Sequence, residues 1–424
     1  MPTEKYTLHR WGLTRSYKFT FFHSREGKEE LIEGKELSRI AGEAKLFIEE
    51  KDGIAQRLFF ITTAPVRGFE KIVVGKNPLF AIEAVMRICG ICHTAHAIAS
   101  SEAIEHAIGI LPPRNGLILR ETLGLLNRLQ SHLLQFVMVC GDLLKEEVRY
   151  DVIIKLLDMH SKVSECLLKL GGAATHPPLL TVGGIAGVPK ESALNFVAET
   201  LKHLKDRWRE LRDILLEDKL LTEVARELQE KRAEPEFLAS HLFYGDRFNI
   251  SLDGVSIEHY WDYRKEPEDI VKEATTLVAF YMGKPVEVGP RARMSIYRFF
   301  SNPSLFGLHE ARVKEVQLVM ERIRELLEQI KLSEPFRTQD IIFGPGKGVG
   351  VYEAPRGTLI HFVELGEEGR IQNLKIILPT LFNIPVMEEV ARGLSVRAAE
   401  AAVRLYDPCI PCATHLLRIG GRES

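Results

Sequence analysis

Apolar side chains recur every three to four positions over three long stretches of the chain. Leu119, Leu123, Leu126, Leu133, Val137 and Cys140 form the first stripe, interrupted by polar Gln130. Leu201, Leu204, Trp208, Leu211 and Leu215 form the second, and Val313, Val316, Met320, Ile323, Leu327 and Ile330 the third. That spacing returns side chains to one face of an α-helix, so each stretch predicts a long helix with one buried face. Elsewhere the pattern is extended. Residues 1–75 read as mainly strand-like, with runs at Lys45–Glu49 and Ala55–Thr62 around the hairpin signal Lys51-Asp52-Gly53. Strand character returns at Thr358–Glu364 and Ile371–Leu378. A last helix is expected from about Pro385 to Tyr406, with Gly393 as a candidate break and Pro408 as its stop.

These elements predict a mainly α protein with peripheral β, an α+β fold. Long helices form a central bundle, small β-elements lie at its edge, and the two ends of the chain meet in the core. A chain of 424 residues can bury such a core. The formal net charge of −2 offers no electrostatic footprint for nucleic acid. No run of apolar residues is long enough for a membrane span, and no signal segment opens the chain, so the expected location is the cytoplasm.

Chemistry enters with the cysteines. Four of the six lie in two Cys-x-x-Cys motifs, Arg87-Ile88-Cys89-Gly90-Ile91-Cys92 and Asp407-Pro408-Cys409-Ile410-Pro411-Cys412. In a reducing compartment such pairs point to metal or redox chemistry rather than disulfides. Structural zinc is one reading, although zinc pairs usually sit close together and staple small domains. A functional soft-metal site is the other. Cys92 precedes an expected helix start, which favours its thiolate. His96 lies one helical turn beyond Cys92 and can donate to a metal-bound sulfur. Pro408 and Pro411 stiffen the second motif, and His415 is a further candidate ligand. Cys140 and Cys166 fit small buried hydrophobes.

The motif Arg87–Cys92 with His96, paired with Asp407-Pro408-Cys409-x-x-Cys412-x-x-His415, resembles the large subunit of nickel-iron hydrogenases. Arg67-Gly68-Phe69-Glu70, Gly171-Gly172 through His176-Pro177, Thr181–Gly184, Glu353-Ala354-Pro355-Arg356-Gly357 and Pro379-Thr380-x-x-Asn383 agree. The resemblance runs through the whole chain and is strongest to cytoplasmic, cofactor-coupled archaeal types. It implies a nickel-iron centre on all four cysteines, Cys92 and Cys412 bridging the metals and Cys89 and Cys409 terminal on nickel. It also implies carbon monoxide and cyanide on the iron. Cys409 would then be the base for heterolytic cleavage of dihydrogen. Arg356, with Pro355, would lie against a cyanide, Asp407 would hold Arg356 or the cysteine loop, and Thr380 would meet the other cyanide. Glu70, the Ile376 carbonyl and His415 would bind magnesium.

No cysteine remains for iron–sulfur clusters, so the resemblance implies an iron–sulfur small subunit, further electron-transfer subunits, a maturation protease and nickel-insertion proteins. It also implies one domain over 1–415 and a removable peptide, Leu416–Ser424. One motif departs. The family pattern Arg-x-Glu-Gly-His reads Arg39-Ile40-Ala41-Gly42-Glu43, so the usual proton-relay glutamate is alanine, and Glu43 is the expected substitute. Ser131 stands where many membrane-bound relatives carry aspartate. A metal-free coupling subunit like that of respiratory complex I and a hydrogen sensor are the alternatives, and the four cysteines weigh against the first.

Overall fold

The three stripes become long helices in a computed structural model that describes residues 18–25 and 28–413, with side-chain burial from residue 37 onward. The chain opens with strands β1 (Lys18–Arg25), β2 (Lys28–Leu37), β3 (Ala44–Lys51) and β4 (Ile54–Ile61). Short helices α1 (Phe69–Ile72) and α2 (Pro78–Met86) lead to the first cysteine motif and α3 (His93–Ile108). The bundle follows as α4 (Arg114–Leu143) and α5 (Glu146–Gly171), then, after short strands β5 (Leu180–Thr181) and β6 (Gly184–Ile185), α6 (Glu191–Leu216) and α7 (Glu223–Glu230). Next come β7 (Val255–His259), α8 (Tyr260–Arg264), α9 (Glu268–Val271), β8 (Leu277–Tyr281), α10 (Pro290–Ile296) and the long α11 (Gly307–Glu328). The chain closes with β9 (Gly346–Ala354), β10 (Gly357–Leu365), β11 (Ile371–Ile377), α12 (Pro379–Val390), α13 (Val396–Leu405) and α14 (Ile410–Ala413).

The β-elements are small antiparallel sheets, the largest ordered β1-β2-β3-β4 and the next β11-β10-β9. The expected hairpin turns at Asp52 and Gly53, both with positive φ (54° and 78°), the conformation a tight two-residue turn requires. The mainly α class with peripheral β is what the molecule adopts. Gln130, the polar break in the first stripe, is buried and donates to Ser164 Oγ at 2.8 Å and the Ala174 carbonyl at 3.1 Å.

The helix expected over 385–406 breaks at its candidate point, Gly393 (φ 78°), into α12 and α13, and its start needs correction. α12 starts at Pro379, where a missing N–H costs nothing, and carries Pro385 inside it. Ser395 caps α13 by accepting from the Ala398 amide. Helix α5 was not anticipated. Its buried face, Val152, Leu156, Met159, Val163 and Leu170, is blurred in the sequence by exposed Tyr150, Ile154, Leu157 and Leu168.

The packing that matters most for chemistry joins α3 to β9. A Cβ added at Gly346, Gly348 or Gly350 would lie 2.0 Å from the carbonyl oxygens of Ala107, Ala103 and Ala99 respectively. Helix and strand backbones therefore touch directly, which only glycine permits. Each step up the strand is a step down the helix toward Cys92, so Ala354, at the strand's end, comes beside the first cysteine motif. The next residues are Pro355 and Arg356.

Candidate metal centre

Cys92 is the residue before the first turn of α3, and Cys89 lies in the loop ahead of it. Cys409 and Cys412 sit on the loop and short helix that follow α13. Three contacts bring the second motif in. Residue Ala41 forms an isolated parallel bridge with Cys409, and the Ile410 amide donates to the Ala41 carbonyl at 2.8 Å. The Cys409 amide donates to Thr380 Oγ1 at 3.1 Å. Arg67 spans both motifs through its Nη2, which donates to the Ile88 carbonyl at 2.6 Å and also to that of Pro411.

The result is one cluster. The four sulfurs lie within 4.8 Å of one another and all are buried. Cys89 and Cys409 approach at 3.4 Å, Cys92 and Cys412 at 3.3 Å, and Cys409 and Cys412 at 3.1 Å. Thiols this close cannot all ionise without a cation. The neighbouring S–H groups, Cys409 first, hold Cys89 well below the usual thiol range. The same proximity, Cys409 first, pushes Cys92 well above it, and burial, followed by that proximity, does so for Cys412. Cys140 and Cys166 lie elsewhere in the core, with burial pushing both thiols up to about 12, as inert structural cysteines do.

His96 Nε2 lies 3.5 Å from the Cys412 sulfur, and its Nδ1 lies 3.2 Å from His361 Nε2. His361 Nδ1 in turn meets Ser100 Oγ at 3.3 Å. Sequence reasoning found His96 but not His361, whose place on an alternating strand carries no signal of its own. It also left Arg67 without a role, although Arg67 opens one of the stretches quoted for the resemblance.

Cys92, Cys409 and Cys412 line a small cavity of about 10 Å³ with His96, Ala354, Arg356, Leu359, Leu378, Pro379 and Thr380. Cys89 does not line it. The first turn of α12 opens onto this space, so the positive end of a helix faces it. Arg356 is buried, donating from Nε to the Asp407 carbonyl at 2.7 Å and from Nη2 to Asp407 Oδ1 at 2.9 Å. Its Nη1 finds no hydrogen-bond partner among the described residues. Pro355, also buried, lies between two lining residues. Four soft thiol ligands beside an unpartnered buried guanidinium N–H fit a thiolate-bound metal pair carrying anionic diatomic ligands.

A second candidate site lies behind β11. The Ile376 amide donates to Glu70 Oε1 at 2.6 Å. Amide and carbonyl of one residue in an antiparallel strand point the same way, so the Ile376 carbonyl also faces outward on the Glu70 side. Burial pushes the Glu70 carboxyl up to about 7, a penalty that a bound cation would remove. His415 and the 416–424 segment lie outside the described residues. Glu43 is exposed, one residue beyond exposed Gly42, whereas Ala41 is buried beside Cys409. Ser131 is fully buried.

Among known proteins, a family model described as nickel-dependent hydrogenase matches residues 67–141 and 299–415. The coenzyme F420 hydrogenase subunit alpha of Methanocaldococcus jannaschii is 36% identical over 396 residues, covering 90% of this chain and 92% of that protein. The Methanothermobacter thermautotrophicus protein of the same name is 35% identical over 394 residues, covering 91% and 95%. A solved structure of the Ni-Fe-Se hydrogenase from D. vulgaris Hildenborough, as isolated and oxidised, superposes with a TM-score of 0.79. It covers 90% of this chain and 99% of that one at 23% identity, a likeness of fold.

Proposed function

This chain belongs to the family of nickel-dependent hydrogenase large subunits, oxidoreductases acting on dihydrogen, and from that premise we propose that it cleaves dihydrogen heterolytically at its four cysteines and delivers electrons to an iron–sulfur small subunit. The observation that carries the proposal is the cluster of four buried sulfurs within 4.8 Å beside Arg356. When bound, a nickel-iron centre with carbon monoxide and cyanide ligands supplies the Lewis acidity that polarises dihydrogen.

The chain's own residues have distinct parts in this reading. Cys89, Cys92, Cys409 and Cys412 would hold the metal centre, Cys92 and Cys412 as its shared ligands and Cys89 and Cys409 as its terminal ones. Cys409 accepts the proton at its sulfur, with its backbone held by Thr380 Oγ1. Arg356 brings positive charge over the cavity where negative charge develops, and Asp407 orients it by two hydrogen bonds. Pro355 fixes the turn from which Arg356 projects. The Thr380 hydroxyl hydrogen and the first turn of α12 suit a second anionic ligand. His96 donates to the Cys412 sulfur.

Glu70, the Ile376 carbonyl and His415 bind magnesium in this reading, and Glu43, through water, takes the proton onward in place of the glutamate that Ala41 replaces. Electrons leave through another subunit, since the two cysteines outside the cluster, Cys140 and Cys166, are too few to hold an iron–sulfur cluster. Further electron-transfer subunits, nickel-insertion proteins and a protease that removes Leu416–Ser424 from the single 1–415 domain complete the proposal. We place the protein in the cytoplasm; among the described residues no helix is long and apolar enough to cross a membrane.

Infrared spectroscopy of the purified complex, with nickel quantification, tests this function. Iron-bound carbon monoxide and cyanide bands with stoichiometric nickel are expected. Zinc in their place, without those bands, would overturn it.

A further inference from the structure

Arg356 projects from the two-residue turn that joins β9 to β10, where Ala354 pairs with Gly357 across Pro355 and Arg356. Such turns normally need positive φ at the first central residue, which proline's ring forbids. Neither Pro355 nor Arg356 has positive φ. Pro355 presets the first central φ of a type I turn and Gly357 follows at φ 128°, so the sequence favours a turn here, but the twist of such a turn does not match that of the flanking strands, and other contacts hold it in place.

They come from two buried guanidiniums. Arg293, on α10, donates from Nη1 to the Ala354 carbonyl at 2.9 Å and from Nη2 to the Pro355 carbonyl at 3.2 Å. Arg128, on α4, donates from Nη2 to the Glu353 carbonyl and from Nη1 to that of Leu242 at 3.0 Å. The three carbonyls that lead into Arg356 are thus all captured. Both arginines are fixed in turn by Glu315 of α11. Its Oε1 accepts from Arg293 Nε at 2.5 Å and Arg128 Nη1 at 3.1 Å, and its Oε2 from Arg293 Nη2 at 2.7 Å. The neutral His132 imidazole, held down to about 3 by burial, donates to the same oxygen at 2.8 Å.

Glu353 adds a second carboxylate, 3.6 Å from Arg293, so two cations face two anions with all four side chains buried. One turn earlier on α11, Arg312 Nη1 donates to the Leu405 carbonyl at 3.2 Å, just ahead of Asp407. A single helix therefore braces the backbone on both sides of the Arg356–Asp407 pair.

We infer that Arg293, anchored by Glu315, is a positioning residue for Arg356, setting where its guanidinium stands over the thiols. The inference rests on the role given to Arg356 above. Arginine suits the task because its planar fork reaches two carbonyls and a carboxylate together, whereas lysine keeps the charge but offers one point of contact.

The test compares Arg293→Lys, Arg356→Lys and Arg120→Lys in the nickel-loaded complex by infrared spectroscopy. Arg120 is a matched control, a buried arginine that ties Glu105 to the Thr181 and Gly184 carbonyls. Arg293→Lys is expected to shift the same cyanide band, in the same direction, as Arg356→Lys, while Arg120→Lys leaves it in place. A band unmoved by Arg293→Lys, or moved equally by Arg120→Lys, would overturn the inference.

Hydrogen exchange on the wild-type complex provides a reading that needs no variant. Amides of 353, 354 and 356–358 should exchange as slowly as those of α11, and exchange roughly a hundredfold faster would also overturn it. Wild-type complex without cyanide bands would refute the proposed function instead, and the exchange measurement would still judge the clamp.

Discussion

The two cysteine motifs reach the same cluster by different means. The first is built by its surroundings in sequence: Cys92 begins a sixteen-residue helix whose alanine face lies directly on the glycines of β9. The second stands on a four-residue helix and depends on contacts far along the chain, with Ala41, Thr380 and Arg67. One half of the centre is thus a rigid platform, and the other is delivered to it. That difference predicts that damage to the two halves will look different.

The largest effect should come from the platform. Gly348→Val would drive a side chain into the Ala103 carbonyl, where even a Cβ would lie at 2.0 Å. Overpacking against rigid backbone should destabilise the chain by more than about 3 kcal/mol. Thermal melting of the nickel-free chain reads this, and an unchanged melting temperature would mean that α3 and β9 are not locked together. Thr380→Val tests the delivered half. The change is nearly isosteric but leaves the buried Cys409 amide without its acceptor, a loss of about 1–3 kcal/mol. Here nickel occupancy should fall further than melting does, and Thr380→Ser should restore it. Equal losses in both measurements would erase the distinction between the halves.

A smaller effect is expected for Arg67→Met. Its guanidinium ties Ile88 to Pro411, but Arg67 itself is exposed, so water can replace part of what is lost. Melting should drop by about 1 kcal/mol or less, with faster loss of nickel to a chelator. A chelator-resistant variant would show that Ala41 and Thr380 suffice to hold the second motif.

The same contrast separates what could be read from the sequence from what could not. Helical stripes at 119–140, 201–215 and 313–327 were legible because each helix has one apolar face, and the Cys-x-x-Cys motifs because cysteine pairs have few other uses. Arg356 was legible only through the motif around it. Helix α5 was hidden by apolar residues on its outer face, and β9 by its glycines, which fall on every second position but offer no apolar side chain to mark a buried face, although they set the closest packing in the site's support. Arg293, Glu315 and His361 were invisible for a different reason. A buried charge or imidazole is recognisable by its partners, and those partners lie on other elements.

Glu43→Gln should have the smallest effect, and it addresses the departure at Ala41. In the proposed function Cys409 takes the proton, and the alanine buried beside it cannot pass that proton on, so Glu43, reached through water, is the carrier put to the test. Glu43 is the nearest carboxylate along this segment, and it is exposed. An exposed carboxylate competes with bulk water as proton acceptor, so its removal should slow turnover by less than about tenfold, well short of the losses usual for an enclosed general base. Hydrogen–deuterium exchange catalysed by the complex, which depends on proton release and not on the electron acceptor, is the sharper readout. A modest slowing shared by turnover and exchange would assign Glu43 to the relay. Unchanged exchange would remove it and leave water at Ala41 as the proton's way out of Cys409.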